Sequence, residues 1–406
     1  MDYINLKNKY GTPLYIYNAD QIKNNISAYQ KYFKSAAFDT EILYASKVLS
    51  IKAILRLIMQ YNLSLDVVSL GELYTAHIVD FPMERVYFHG NNKTYDELKY
   101  ALELNVGTIV VDNLCEVKRL LELTEKMKKK VQIYIRLNVG IEAHTHKYIV
   151  TAHVDSKFGV LYQSSEYLEI LKLVQSSKYL HLQGFHSHIG SQIFDLTPYD
   201  AAIQKLVQVI QDFDYPMDIN LGGGFGVAYT NADAPIPFDE VAKHLIQETE
   251  KELLKQNAHI RKLCIEPGRS LVAEAGTTLY TIGGIKKTPN KLYYFVDGGM
   301  TDNIRPALYQ AVYTADIVGK EKEFKNQVVT VAGKCCESGD ILIENTLLPE
   351  AQVGDLLVTY TTGAYGYAMS SNYNKALTPA IVFVEDGQDR LVVKRQTVEE
   401  LVEREL

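Results

Sequence analysis

Short apolar runs alternate with amphipathic stretches from about residue 40 to residue 270. The runs occupy residues 42–47, 63–69, 85–90, 108–113, 131–138, 182–190, 218–224 and 263–269, and most end in polar or glycine residues. Between them, residues 95–104, 115–129, 165–176 and 199–213 carry apolar side chains at spacings of three and four, the period of a helix with one buried face. Strands alternating with helices call for a parallel sheet. Eight such repeats predict an α/β fold, a (β/α)8 TIM-like barrel, whose polar strand ends line one site at the C-terminal face.

After about Gly276 the rhythm changes. Residues 279–285, 291–296, 327–332, 356–361 and 391–395 read as strands separated by turns, which predicts a C-terminal mostly-β domain of barrel or sandwich type. The strand-like segment 13–17 precedes the first repeat and is assigned to that domain. The expected division is therefore 20–275 for the barrel and 1–19 with 276–406 for the β domain, with a helix over 397–406 closing the chain. A chain of 406 residues suits two cores better than one.

Composition narrows the function. Net charge is −7 with no basic block, which argues against nucleic acid as a partner. No apolar run approaches the roughly 20 residues that span a bilayer. The start, Met1-Asp2-Tyr3-Ile4-Asn5, lacks the basic-then-apolar pattern of a signal peptide. Cys115, Cys264, Cys335 and Cys336 fit neither a disulfide framework nor a zinc site, so a reducing cytoplasm is expected.

The chemistry gathers at the ends of the runs. Lys47 alone reads as a solvated strand-end lysine, but it shares the chain with groups that an imine-forming lysine needs. Gly222, Gly223 and Gly224 form a turn whose backbone can approach a phosphate. In Glu266-Pro267-Gly268-Arg269 a carboxylate suited to a protonated ring nitrogen precedes an arginine suited to a phosphate or carboxylate. Together they point to pyridoxal 5'-phosphate. His186 and His188 share a strand face and could bind a metal, with Asp66 as a further ligand. An imidazole stacked on a cofactor ring fits Lys47 and Glu266 better, so no metal is expected. Ser191 lies in a loop suited to a phosphate. Cys336 beside Glu337 places a thiol that can deliver a proton next to a carboxylate that can hold an ammonium. Arg305 and Tyr309 share a face on one turn of helix, and Tyr365 lies in a glycine-bounded loop.

These segments resemble the fold-type III decarboxylases that use pyridoxal phosphate. The matching stretches are 44–47, 66–69, 89–93, 144–147, 155–159, 186–192, 222–226, 266–269, 305–309, 336–340 and 363–374, in order along nearly the whole chain. The resemblance implies that Lys47 forms the imine, His188 stacks on the ring and Glu266 faces its nitrogen. It implies that Ser191, Gly222, Gly223, Gly224, Pro267, Gly268, Arg269 and Tyr365 surround the cofactor. Arg269, Arg305, Tyr309, Glu337 and Tyr365 would contact an amino-acid substrate, and Cys336 would protonate its Cα. It further implies a head-to-tail homodimer in which each site borrows the Cys336 segment from the partner. The reaction that the resemblance implies is decarboxylation of meso-2,6-diaminopimelate to L-lysine and carbon dioxide, in lysine biosynthesis, and two arginines suit a substrate with a second carboxylate. The alternative is a decarboxylase of the same fold acting on ornithine, arginine, a carboxy-polyamine or a siderophore intermediate. A racemase would place an arginine where Glu266 stands, and a catalytically silent binding protein would have lost Lys47 or Cys336. The departures are Leu70-Gly71 after Ser69, Cys335 before the catalytic thiol, and the segment 148–154 around His153.

Overall fold

The computed structural model describes residues 1–141 and 155–406. The stretch 144–147 and the atypical segment 148–154 lie outside the described residues, apart from what flanks them. Two compact units divide the chain. One comprises Ile26–Gly226 and Pro235–Gly268, the other Met1–Asn25, Val227–Ala234 and Arg269–Leu406. The expected boundaries at 19/20 and 275/276 thus fall instead at 25/26 and 268/269. The reason is local. Arg269–Val272 is a helical turn, and the Ala273 carbonyl that follows it accepts from Gly276 N–H and Gly363 N–H of the β unit.

The first unit is the expected barrel. Its strands are Asp39–Ala45, Ser64–Val67, Val86–Phe88, Thr108–Val111, Val131–Asn138, Leu180–His186, Met217–Asn220 and Ile260–Ile265. Each pairs in parallel with the next, and the last pairs with the first, from Lys262 opposite Asp39 to Ile265 opposite Ile42. Leu43, Tyr87, Val110, Tyr134 and Cys264 fill the interior, so the barrel is a packed core and not a channel. Helices Tyr95–Glu103, Leu114–Met127, Ser165–Ser176 and Thr197–Ile210 lie close to their expected spans. Thr94 and Glu97 begin the first of these with a reciprocal capping box, which satisfies two otherwise unpaired N–H groups.

The second unit is a mixed sheet of nine strands among the described residues. The strand Leu14–Asn18 lies between two partners distant in sequence. It runs antiparallel to Gly276–Lys287 and parallel to Ala380–Glu385. Leu6, Leu14, Ile16, Leu279, Val358, Ala380 and Val382 form the core on this sheet. The expected closing helix over 397–406 is absent. The segment makes isolated turns, with Leu401 N–H donating to Val398 O and Val402 N–H to Glu399 O. Val398, Val402 and Leu406 are exposed, so no apolar face is buried to hold a short helix together.

Candidate active site

In the barrel unit the first strand ends at Ala45, and Lys47 lies just beyond it, in the tight turn Ser46–Val48. The loop after the eighth strand packs onto this turn. Ala45 N–H donates to Pro267 O, and a Cβ on Gly268 would stand 2.8 Å from Val48 Cγ1. Glu266 and Lys47 therefore leave neighbouring strands at one end of the barrel.

Glu266 is buried. Asn220 Nδ2 donates to its Oε1 at 2.8 Å, and His89 Nε2 lies 2.9 Å from the same oxygen. His186 Nε2 is 3.2 Å from Oε2. Burial alone would raise this carboxyl, but the two imidazoles outweigh it and hold it well below the usual carboxylate range. Burial has the opposite effect on His186, lowering it to about 4. His186 is thus neutral near pH 7. Its Nε2–H faces Glu266, leaving Nδ1 without a proton. Asp66 is pushed up, chiefly by burial and also by the Glu266 charge, so the two carboxyls differ sharply.

The glycine turn is bound into the same network. Gly222 N–H donates to Asn220 Oδ1 at 2.9 Å, so one amide side chain links the turn to Glu266. Gly223 N–H donates to His188 Nδ1, which places the proton of that ring on Nε2. His188 is held well below its ordinary value by burial and by the Lys47 and Arg136 charges. A Cβ on Gly222 would lie 2.6 Å from Ser187 O, and one on Gly223 would lie 2.2 Å from Glu266 O. Only glycine fits there. The Ser191 loop is tied to the turn by Ile193 N–H donating to Gly224 O.

The β unit holds a second cluster. Arg269 donates to Tyr229 OH, and Arg305 donates to Tyr313 OH. The Arg269 guanidinium stands 4.9 Å from the centre of the Tyr365 ring, and that of Arg305 stands 4.8 Å from the Tyr229 ring. Arg305 opens the short helix Arg305–Tyr309 and is buried, while Tyr309 is partly exposed. Cys336 and Glu337 stand at an exposed turn, where Cys336 N–H donates to Asn374 Oδ1. Among the described residues, no hydrogen bond or ring contact joins Tyr309, Cys336 or Glu337 to the arginine cluster.

The geometry thus joins Lys47, His188, the glycine turn and Glu266 in one unit, and Arg269, Arg305 and Tyr365 in the other. Sequence reasoning passed over His89, Asn220, Tyr229 and Tyr313. His89 and Asn220 end strands, the position that singled out Lys47, and that signal applied to them equally. Tyr229 and Tyr313 carried no local signal. His89, His186 and Glu266 lie close enough to share a cation, with ligand atoms within 4.8 Å of one another. His188, the other imidazole of the pair weighed as metal ligands, is engaged with Gly223 instead.

Residues 19–273 match the family model described as "Pyridoxal-dependent decarboxylase, pyridoxal binding domain". The chain is 45% identical over 412 residues to the diaminopimelate decarboxylase of Bacillus subtilis (strain 168), covering all of this chain and 94% of that protein. It is 42% identical to the diaminopimelate decarboxylase of Staphylococcus aureus (strain COL), covering 99% and 96%. Among solved structures, it is similar to diaminopimelate decarboxylase from M. jannaschii in complex with L-lysine, with a TM-score of 0.91, 32% identity and coverage of 100% and 94%. The Helicobacter pylori enzyme complexed with L-lysine gives a TM-score of 0.90 at 32% identity, covering 99% and 98%. The chain belongs to the diaminopimelate decarboxylases, within the pyridoxal-dependent decarboxylase family.

Proposed function

We propose that this chain is a pyridoxal-phosphate-dependent carboxy-lyase that converts meso-2,6-diaminopimelate to L-lysine and carbon dioxide in lysine biosynthesis. Glu266 carries the reading. It is a buried carboxylate kept anionic by neighbouring N–H donors, beside a turn that only glycine can form. Such a group suits a protonated pyridine nitrogen and has little use elsewhere in a barrel. Bound pyridoxal phosphate supplies an aldehyde that holds the substrate amine and a protonated ring that accepts the electron pair left by carbon dioxide.

The chain's own residues do the rest. Lys47 holds the cofactor between turnovers through its amine. Neutral His188 lies against the ring without adding charge. Ser191, Gly222, Gly223, Gly224, Arg269 and Tyr365 surround the phosphate end, and Pro267 and Gly268 also line the cofactor. Arg269, Arg305, Tyr309, Glu337 and Tyr365 hold the substrate, the arginines taking carboxylate and Glu337 ammonium. Cys336, supplied by a second copy of the chain in a homodimer, returns a proton to Cα. The four cysteines are free thiols, which fits a reducing cytoplasm. No described helix is long and apolar enough to cross a membrane.

The test is carbon dioxide release from meso-diaminopimelate, ornithine, arginine and lysine. Release from meso-diaminopimelate should dominate, and borohydride should fix the cofactor to Lys47 in the wild type but not in Lys47→Ala. Preferred turnover of ornithine or arginine would move the chain to another branch of the fold.

A further inference from the structure

Two cysteines stand side by side in the turn that follows the strand Gln327–Ala332, and the fold treats them differently. Cys335 is half-buried, whereas Cys336 is exposed. The Cys335 thiol stands against the Asp340 carboxylate and the Thr301 hydroxyl. Burial, and after it the Asp340 charge, pushes that thiol up to about 11, so it keeps its proton near pH 7.

Asp340 builds this difference. Its buried carboxylate accepts from two main-chain N–H groups, Cys335 N–H on Oδ2 at 2.7 Å and Met300 N–H on Oδ1 at 2.6 Å. Two glycines make room for it. A Cβ on Gly333 would lie 2.3 Å from Oδ2, and one on Gly299 would lie 2.6 Å from each oxygen. The Asp340 carbonyl accepts from Gly333 N–H at 2.9 Å and closes the turn. Asn374 reaches the same turn from 38 residues away, where its Oδ1 accepts from Cys336 N–H at 2.9 Å. Its φ of 52° is left-handed, a conformation that asparagine tolerates better than most residues. Ser371 N–H donates to Thr301 O at 3.0 Å, which ties the Asn374 segment to the loop that Asp340 grips. Consecutive N–H groups, of Cys335 and of Cys336, are therefore each held by a side chain. Exposed turns are ordinarily the mobile parts of a fold, and a group that delivers a proton to one carbon needs a fixed place.

We propose that Asp340 and Asn374 are positioning residues, which turn Cys335 inward and present Cys336 as the one thiol of the pair that returns a proton to Cα. This rests on the proposed function. The Cys336 S–H proton goes to the electron pair that carbon dioxide leaves on Cα, and the thiolate recovers a proton from solvent. Carbon dioxide leaves before Cys336 acts. A loosened turn therefore spares carbon dioxide release and slows the formation of lysine.

The holoenzyme tests this through two variants. Asp340→Asn keeps the side-chain shape but, whichever way its amide lies, sets an N–H₂ against a main-chain N–H. Asn374→Gly removes the acceptor from Cys336 N–H and adopts a φ of 52° without strain. In a single turnover at saturating meso-diaminopimelate, each should release carbon dioxide within about twofold of the wild-type rate and form lysine about 10–100-fold more slowly. Asn374→Asp, which keeps Oδ1, should form lysine within about threefold of wild type. Brief treatment with iodoacetamide, read by peptide mass spectrometry, gives a measure apart from turnover. In the wild type it should label Cys336 and the exposed Cys115 well ahead of Cys335. In Asp340→Asn the label on Cys335 should rise severalfold while that on Cys115 stays constant. Equal labelling of Cys335 and Cys336 in the wild type, or equal slowing of both steps in the two variants, overturns the inference while wild-type turnover of meso-diaminopimelate stands. Lysine formation by Cys336→Ala at the wild-type rate overturns it together with the proton-donor role of Cys336. No turnover by the wild type overturns the inference and the proposed function alike.

Discussion

At the scale of single residues, the site depends on which groups are charged. Glu266 stays ionised although buried, and His186, against it, stays neutral. Replacing Glu266 with glutamine tests this division. Oε1 can still accept from Asn220, with His89 Nε2 beside it, and the new amide N–H₂ would face His186 Nε2. A neutral imidazole can move its proton to Nδ1 and accept at Nε2, so the pocket should survive. What is lost, on the proposed reading, is the charge that would keep the ring nitrogen protonated. Glu266→Gln should bind cofactor within a few-fold of wild type yet slow decarboxylation about 10²–10⁴-fold. Single-turnover carbon dioxide release with absorbance titration reads both, and an unslowed rate would make Glu266 structural. Lys47, the glycine turn and Glu266 stood out in the sequence because each is odd for its local pattern. His89 and Asn220 did not, because their use arises only when closure of the barrel brings the ends of its third, seventh and eighth strands together.

At the scale of elements, the glycine turn is where backbone meets backbone. Gly223 has no unusual dihedral, so alanine there would be purely a matter of space, with its Cβ 2.2 Å from the Glu266 carbonyl oxygen. That oxygen belongs to main chain and cannot rotate away. Gly223→Ala should therefore cost about 1–3 kcal/mol of stability and weaken cofactor binding together. Gly283→Ala, whose Cβ would meet nothing within 4 Å, should do neither. Thermal unfolding and equilibrium dialysis with pyridoxal phosphate would decide, and equal behaviour of the two variants would refute the steric account. Elements were legible in the sequence where the period was strong. The strand Gln327–Ala332 and the helix Ser165–Ser176 lie where the pattern puts them. The pattern failed where packing decided. Residues 397–406 have helical spacing but bury no face, whereas Tyr3–Tyr10, weakly amphipathic, is a helix anchored by Leu6 in the core.

At the scale of the molecule, the open question is assembly. Lys47 belongs to the barrel unit and Cys336 to the β unit, at an exposed turn. If the sites are shared between two copies as proposed, Lys47→Ala and Cys336→Ala homodimers are each nearly inactive. A mixed dimer would contain one site with both lesions and one with neither. Random reassortment of equal amounts should restore about a quarter of wild-type activity. No recovery after demonstrated subunit exchange would mean that a single chain builds the whole site. The barrel itself was legible from the count of repeats. The excursion of Val227–Ala234 into the other unit was not, since nothing in those residues departs from an ordinary loop.

That excursion, with the N-terminal segment, sets an order of events during synthesis. Leu14 pairs with Leu279 and with Ala380, so one of the first strands to leave the ribosome has no partner until most of the chain exists. The barrel strands, by contrast, meet mainly their immediate successors. Pairing across so long a separation is slow. A nascent chain should thus carry a nearly finished barrel beside two waiting pieces, Met1–Asn25 and Val227–Ala234, whose apolar faces are covered only when the last strands arrive.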